Sequence, residues 1–378
     1  MTGRVALRLR LWQRRILRAC LTDPAGGSAR ALADAAPAGG LETLPVLASF
    51  HRVVGPVLAT LGDVVPPGVS AALVRLQRDE QARKLIATAN LRRSDELLGR
   101  LGVPFLVVKG PVLAGVIYDS PRLRYYRDLD LFVPRRSFGR ALGVFEQNGA
   151  EVVDANWPYF LEHLAGQLDL STNVDLHWHF LYFESMRRAT RVSMEDVFER
   201  ARHVSVDGMT VSTPDAADTL IHLAVHACLE GGGRLVWMKD IEQAVVNDRP
   251  SWDEVVKRAV DWRLNLLVGT MLLRSRQALS TPVPDEVLRQ LVPNAGWRAF
   301  LRSLDNVFPI TAWTRRETPA TRVAEAMQPE VTATLAVLAS AAVRRGRAAL
   351  PGFRPPVLPG RPVDDTRAAY LDRVAREA

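Results

Sequence analysis

Cysteine is scarce in this chain: the 378 residues contain only Cys20 and Cys228, and neither lies in a CxxC or mixed Cys/His pattern. This scarcity excludes a disulfide framework and a cysteine-based zinc site, and isolated thiols are typical of a reducing compartment. No apolar run approaches the roughly 20 residues that cross a bilayer, and arginines interrupt the N-terminal segment where a signal peptide would be continuous. We therefore expect a cytoplasmic protein without a membrane span.

The common glycine-rich phosphate motifs are also absent, since the chain has neither GxxxxGKS/GxxxxGKT nor GxGxxG. This excludes a P-loop and a Rossmann dinucleotide site. Lysine occurs at four positions, so arginine supplies most of the positive charge behind the net charge of +8. A basic balance suits nucleoside triphosphates or nucleic acid without choosing between them, and a basic surface with no partner is an equal alternative.

The N-terminal segment shows an apolar stripe at helical spacing, which predicts a helix over residues 4–21. We favour a helix packed on the body of the protein, with a helix lying on a membrane surface or on RNA as the alternative. Residues 23–40 are rich in Ala, Gly and Pro and are expected to form a loose connection.

Between residues 105 and 180, short apolar or alternating runs are interspersed with helical patterns. Strands are predicted at 105–108, 128–133, 151–153, 167–170 and 173–180, and helices at 111–119 and 137–150. This order predicts an α/β (α+β) fold: a small mixed sheet with flanking helices. After about residue 212 the patterns are helical, and Thr213-Pro214-Asp215 is a suitable helix start with Thr213 as the capping hydroxyl.

Three acidic residues lie on predicted strands of this region. Asp128 and Asp130 are two positions apart, so their carboxylates should share a face of the sheet, and Asp175 stands among apolar residues on a later strand. A buried acid needs a metal or an arginine nearby. Three carboxylates can hold two divalent cations, although Asp-x-Asp by itself is typical of a solvated strand edge.

Lys109 and Gly110 lie where a predicted strand meets a predicted helix. Glycine lets the backbone approach a ligand closely, the helix start offers free N–H groups to a phosphate, and Lys109 adds a full charge. The alternative interpretation is a plain strand-to-helix turn.

Together these residues resemble the nucleotidyltransferase superfamily that includes DNA polymerase beta and the aminoglycoside nucleotidyltransferases. The closer similarity is to an uncharacterised bacterial nucleotidyltransferase-like family. It rests on three blocks within residues 80–290, namely VVKGPVLAGVIYDSPRLRYYRDLDLFV, VDLHWHF and IHLAVHACLEGGGRLVWMKDIEQAV.

The resemblance implies that Asp128, Asp130 and Asp175 are catalytic residues that bind Mg²⁺ or Mn²⁺. It also implies triphosphate binding at Lys109 and Gly110. The reaction would move an NMP group from a nucleoside triphosphate to an unknown acceptor hydroxyl or phosphate, on a small molecule, a peptide or RNA, and release pyrophosphate. A non-catalytic nucleotide- or RNA-binding module and a toxin-like tRNA nucleotidyltransferase are the alternatives.

The chain departs from the wider superfamily at two positions. Lys109-Gly110-Pro111 replaces the usual Gly-Ser turn, so the phosphate-contacting serine hydroxyl is missing and Lys109 is its expected substitute. Arg127 stands where a serine often precedes the Asp-x-Asp, and it is expected to pair with a carboxylate or reach a phosphate.

Histidines supply the remaining candidates. Strand alternation places His177 and His179 on the face of Asp175, and His177 is assigned to nucleotide binding, with support of Asp175 as the alternative. His222 and His226 are four residues apart on a helix without an HEXXH pattern, so helix packing or a polar site wall is favoured over zinc. Asp240 and Arg234 are expected either to pair locally or to line the cleft.

These patterns predict four parts. They are a basic N-terminal helix and linker (1–45), a nucleotidyltransferase domain with a helical lead-in (46–210), a helical domain (211–343) and a flexible tail rich in Pro and Arg (344–378).

Overall fold

The computed structural model combines a small mixed sheet with a large set of helices, as the sequence predicted, and it also contains one hairpin. It describes residues 3–23, 25–126, 128–152, 168–169, 173–181, 184–310, 318–348 and 367–376. Within this part, no helix has both the length and the apolar character that a membrane crossing requires.

Five helices precede the sheet. They are α1 (Gly3–Thr22), α2 (Gly27–Asp34), α3 (Leu44–His51), α4 (Val54–Leu61) and the long α5 (Pro67–Arg100).

The sheet contains five strands in the order β1-β2-β5-β4-β3. The strands are β1 (Leu106–Val108), β2 (Leu129–Phe132), β3 (Glu151–Val152), β4 (Leu168–Asp169) and β5 (Asn173–His177). The central strands β2 and β5 are parallel, whereas the other neighbouring pairs are antiparallel. The sheet is therefore mixed, as expected.

Short helices connect and flank these strands. They are α6 (Gly110–Val112), which continues as a π-helical turn (Leu113–Ile117), α7 (Phe138–Gln147), α8 (Glu184–Ala189) and α9 (Met194–Glu199).

A hairpin that the sequence analysis missed follows α9. It consists of β6 (Arg202–Val206) and β7 (Met209–Thr213), and its turn contains Asp207 and Gly208, both at positive φ. An Asp-Gly pair between β-branched runs is the usual signal of such a turn, so the sequence does contain the evidence for it.

Helices dominate the rest of the chain. They are α10 (Ala216–Leu229), α11 (Leu235–Gln243), which continues as a π-helical turn (Ala244–Asp248), α12 (Trp252–Asp261), α13 (Asn265–Leu279), α14 (Asp285–Leu291), α15 (Ala295–Val307), α16 (Pro319–Glu325), α17 (Val331–Ala348) and α18 (Arg367–Arg376). Helix α10 starts at the predicted place, but Asp215 rather than Thr213 is the capping side chain, accepting a hydrogen bond from the Asp218 amide at 2.8 Å.

The two faces of the sheet pack against different hydrophobic cores. Leu129 and Leu131 of β2, with Val174 and Leu176 of β5, join a core completed by α5, α7 and the hairpin. Phe132 joins the other core, which includes residues of α1, α4, α10, α11 and α13. Because side chains alternate across a strand, the remaining residues of β2 and β5 face the helical body.

Two segments near the chain ends contain helices that the sequence analysis did not predict. Residues 23–40 are not merely a loose connection, since they contain α2 with Ala29 and Ala33 buried. In the segment from 344 onward, α17 extends to Ala348, and α18 packs on α7 with Val374 only 3% exposed. Sparse apolar side chains at helical spacing are enough to dock a short helix on an existing surface, even when the surrounding composition has no period.

Candidate active site

Two carboxylates lie side by side on the central parallel strands. Asp130 of β2 is paired in register with Asp175 of β5, and His177 follows two residues later on the same strand face. Asp130 is buried at 5% exposure, whereas Asp175 is half-buried. The parallel register therefore brings together acids that are 45 positions apart in the sequence numbering.

One ligand atom each from Asp130, Asp175 and His177 lies within 4.8 Å of the other two. This spacing suits a divalent cation bound between them. Asp128 was expected in the same group, but it lies at a bend before β2, half-buried and outside the group. His177, predicted as a nucleotide-binding residue, takes the third position instead.

The carboxylate of Asp130 is held by two nitrogen groups. The Nζ of Lys109 lies 2.7 Å from Oδ1 of Asp130, and Nε2 of His177 lies 3.4 Å from the same oxygen. Burial acts to raise the pKa of Asp130, but the charge of Lys109 and the contact with His177 outweigh it and hold the pKa below its usual value. Asp130 is therefore ionised, as a metal ligand must be.

Lys109 owes its position to an unusual backbone conformation. It follows β1 directly, with φ 54° and ψ −126°, a region that a residue with a side chain rarely adopts. Such a conformation costs on the order of 1–3 kcal/mol and is found mostly at functional sites. This backbone conformation lets the chain turn sharply from β1 into α6.

Gly110 lies against an aromatic ring, where a side chain would not fit. A Cβ at this position would lie 3.0 Å from Cγ of the buried Tyr126. The predicted strand-to-helix turn at Lys109-Gly110 is thus present, and the glycine is required by close packing.

His222 of the helical body packs against two phenylalanines of the sheet region beside this site. The ring of His222 on α10 lies 5.3 Å from that of Phe132 and 4.8 Å from that of Phe180. Among the described residues neither ring nitrogen of His222 has a hydrogen-bond partner. Burial, with the nearby charge of Lys109, lowers the pKa of His222 to about 3, so the ring is neutral at pH 7.

His226 lies one helical turn further along α10. Burial and the charge of Lys109 hold its pKa well below the usual histidine value. His222 and His226 therefore form a neutral wall beside the acids, which agrees with the expectation of a polar site wall on a packed helix.

His179 does not share the face of Asp175, contrary to the alternation argument. Strand β5 ends at His177, and the chain then bends so that Nδ1 of His179 accepts a hydrogen bond from the Leu181 amide at 3.0 Å. Period-two alternation holds only while the strand continues. Burial lowers the pKa of His179 to about 3, with Arg187 as the second cause.

An ion pair that the sequence analysis missed lies beside the acids. Arg124 donates two hydrogen bonds to Asp240 of α11, at 2.6 and 2.8 Å, and the hydroxyl of Tyr118 donates a third to Asp240 at 2.8 Å. Burial opposes the charge on Arg124, but Asp240, Tyr118 and Asp128 raise its pKa above the ordinary arginine value. Asp240 therefore connects the segment before Asp128 to the helical body.

This arrangement settles one of the open alternatives. Asp240 was expected to pair with Arg234 or to line the cleft, but its carboxylate oxygens are bound by Arg124 and Tyr118. Arg234 lies over the rings of Phe50 and Trp237, at 5.8 and 5.6 Å. The pairing could not be read from spacing, because it joins residues 116 positions apart. Arg127 lies outside the described residues.

Comparison with known proteins gives one match. Residues 41–280, well over half of the chain, match the family described as uncharacterised nucleotidyltransferase. No curated protein and no solved structure matches the chain. The matched segment contains Lys109, Asp130, Asp175 and His177, whereas α1 lies before it.

Proposed function

Because the chain belongs to this family of uncharacterised nucleotidyltransferases, we propose that it catalyses metal-dependent transfer of an NMP group. An acceptor hydroxyl or phosphate attacks the α-phosphorus of a nucleoside triphosphate, a P–O bond forms to the acceptor, and the bond to pyrophosphate breaks. The supporting observation is the register pairing of Asp130 with Asp175, which places two carboxylates and the His177 imidazole within 4.8 Å.

The donor set fits a divalent cation. Asp130, Asp175 and His177 would hold it, and the carboxylate oxygens suit Mg²⁺ or Mn²⁺. A bound cation would supply charge neutralisation for the phosphates and a lower pKa for the acceptor. We propose Asp128 as an additional ligand of smaller effect, because it lies outside the close group.

Lys109 is the phosphate-binding residue in this proposal. Its ammonium group lies 2.7 Å from the carboxylate of Asp130 and neutralises it. Asp130 requires a positive partner because it is buried. A cation at the acids would satisfy Asp130 instead, which releases Lys109 to pair with triphosphate oxygens. Gly110 keeps the backbone beside Lys109 compact, and we include it in the phosphate-binding turn.

Asp175 is proposed to accept the proton of the acceptor. It is half-buried and therefore reachable, whereas Asp130 is buried and doubly contacted. Neutral His222 closes the opposite side and keeps water from the reacting groups.

The proposal is tested by thermal unfolding of the full chain with ATP, GTP, CTP or UTP, each with Mg²⁺, with Mn²⁺ or with EDTA. A triphosphate at about 100 times its Kd stabilises a folded protein by about 2.7 kcal/mol. We expect this stabilisation only with the metal, since the acids repel phosphate until a cation neutralises them. Equal stabilisation in EDTA would contradict the metal-bridged site.

Transfer itself is measured by mass spectrometry of acceptor candidates incubated with labelled triphosphates, together with pyrophosphate release. The matched control is Asp261→Asn, which removes an exposed aspartate of α12 far from the acids in the chain. Loss of transfer in Asp130→Asn but not in Asp261→Asn supports the site. Equal turnover in the two variants would overturn it.

A further inference from the structure

The outer face of α1 carries several positive charges, and the helix itself supplies no negative charge. The helix contains six arginines and no acidic residue. Arg8, Arg10 and Arg15 are exposed, and Arg14 and Arg18 are half-buried. Within the described part of the chain, none of these five is in an ion pair with a carboxylate. Like charges crowded on one helix repel one another, so the face suits an anionic partner.

The apolar face of the same helix is already occupied by the protein. Trp12, Ile16 and Leu17 are buried in the core that α1 shares with α4 and α13. Among the described side chains of α1, the exposed large apolar ones are Leu7 and Leu11, at 58% and 50% exposure. A helix that lies on a membrane inserts a continuous apolar face into it, and α1 has none left to offer.

A small pocket with both polar and apolar lining residues lies between α1 and the body of the protein, and Arg14 and Arg18 of α1 line it. It has a volume of about 100 Å³, which suits a phosphate group rather than an acyl chain. Its charged and polar lining residues are Arg14, Arg18, Arg274, Asp305, Gln277 and Asn306.

Positive side chains outnumber negative ones among the residues that line this pocket. Three guanidinium groups face a single carboxylate, Asp305, whose Oδ2 lies 3.1 Å from Nε of Arg274. That contact partly neutralises Arg274. Among the described residues, Arg14 and Arg18 have no carboxylate partner, and Arg18 donates a hydrogen bond to Oγ of Ser280. Planar guanidinium groups bind phosphate oxygens in pairs, and the amides of Gln277 and Asn306 add hydrogen-bonding groups.

We propose that the outer face of α1 and this pocket bind the phosphodiester backbone of a nucleic acid, with one phosphate in the pocket and its neighbours along the helix. A helix of 20 residues is about 30 Å long, so it spans several phosphates. Helix α1 precedes the segment that matches the family, whereas the pocket also contains Arg274 and Gln277 from within that segment and Asp305 and Asn306 from beyond it. The proposal stands independently of the proposed transfer reaction.

The test measures binding of a short fluorescein-labelled oligoribonucleotide to the full chain by fluorescence anisotropy over a series of salt concentrations. Each phosphate that the protein neutralises contributes about 0.7 to the slope of log K against log salt for single strands. Because Arg14 and Arg18 bind one phosphate in the pocket, we expect the slope to fall by about 0.7 in Arg14→Gln/Arg18→Gln, with weaker binding at every salt concentration. Arg8→Gln/Arg15→Gln, which changes only exposed side chains, should also weaken binding while leaving the melting temperature unchanged.

The matched control is Arg75→Gln/Arg78→Gln, which removes the same charge from exposed positions of α5. It should bind the oligoribonucleotide like the wild type. Equal weakening in the control would show that net charge rather than this surface governs binding, and would overturn the proposal.

Two further outcomes would also overturn it. One is the absence of salt-dependent binding by the wild-type chain. The other is binding to vesicles containing phosphatidylserine that is lost in Arg14→Gln/Arg18→Gln while oligoribonucleotide binding is kept. Metal-dependent stabilisation by triphosphate should be unchanged in all these variants, so a failure here is distinguishable from a failure of the proposed function.

Discussion

The ammonium group of Lys109 lies 2.7 Å from the carboxylate of Asp130, and the two side chains are 10% and 7% exposed. Each member of the pair supplies the charge that the other needs in a site with little water. The ammonium group of Lys109 therefore neutralises Asp130 as a bound metal ion would in the proposed site. The pairing therefore decides what substitution of either residue should do.

Replacement of Asp130 by Asn should abolish activity and also destabilise the fold. Removal of one member of a buried pair typically costs about 3–5 kcal/mol, because Lys109 is left without its partner. We expect pyrophosphate release to fall by orders of magnitude and the free energy of unfolding in urea to decrease.

The control for this loss is Lys109→Met/Asp130→Asn, which removes both charges. It should recover much of the lost stability and remain inactive. An unchanged free energy of unfolding in the single variant would show that the pair contributes nothing.

Replacement of Lys109 by Ala should have opposite effects on the two ligands. Without the competing ammonium group, Mn²⁺ should bind the acids more tightly when no nucleotide is present, by about tenfold if the lost competition amounts to about 1.4 kcal/mol. Triphosphate should bind more weakly by a similar factor, because a charged phosphate contact is lost.

Titration calorimetry with Mn²⁺ and, separately, with a triphosphate in the presence of metal measures both effects. Lys257→Ala, at an exposed position of α12, is the control. Weakening of both ligands in Lys109→Ala would indicate that the lysine only supports the fold.

Replacement of Asp240 by Asn should destabilise the protein more than most surface changes. It leaves the buried Arg124 guanidinium without its carboxylate, at a typical cost of about 3–5 kcal/mol. Tyr118→Phe removes one hydrogen bond to a charged group and should cost about 1.5–3 kcal/mol.

Urea unfolding of these variants is compared with that of Asp261→Asn, whose exposed pair with Lys257 should contribute less than about 1 kcal/mol. If Asp240→Asn lost no more stability than this control, the ion pair of Arg124 with Asp240 would not stabilise the contact between the segment before Asp128 and the helical body.

The carboxyl group of Glu80 on α5 should make stability depend on pH. Burial raises its pKa to about 7, against the opposing charges of Arg124, Arg52 and Arg83. A raised pKa means that the folded state favours the protonated acid, so its contribution to stability is lost as pH rises from about 4.5 to 7. Glutamine has no ionisable group, so Glu80→Gln should not lose stability in this way as the pH rises.

The difference in melting temperature between Glu80→Gln and the wild type should therefore be small near pH 4.5 and grow towards pH 8. Glu286→Gln is the control, because Arg289 lowers the pKa of this exposed glutamate and the sign of the effect reverses. If the difference in melting temperature did not change with pH, the carboxyl group of Glu80 would be solvated and its pKa would not be raised.

Local patterns in the sequence were sufficient to predict most elements and to select Lys109, Asp130 and Asp175 as candidate residues. Alternation predicted β2 and β5, and the α/β order predicted the mixed sheet, because strand and helix periods depend on neighbouring residues alone. Lys109-Gly110 was placed correctly at a strand-to-helix turn. These residues were candidates because charge stands out against an apolar strand wherever the strand lies in the fold.

Only the tertiary structure decided which of these residues meet. It paired Asp130 with Asp175 through the β2–β5 register, placed Asp128 outside the group, and brought Lys109 to Asp130 through a strained turn. It also joined Arg124 to Asp240 and turned His179 away after β5 ended. Strand register, the end of a strand and long-range ion pairs depend on how separate segments pack together. A linear pattern contains the period of each segment but not the contacts between segments.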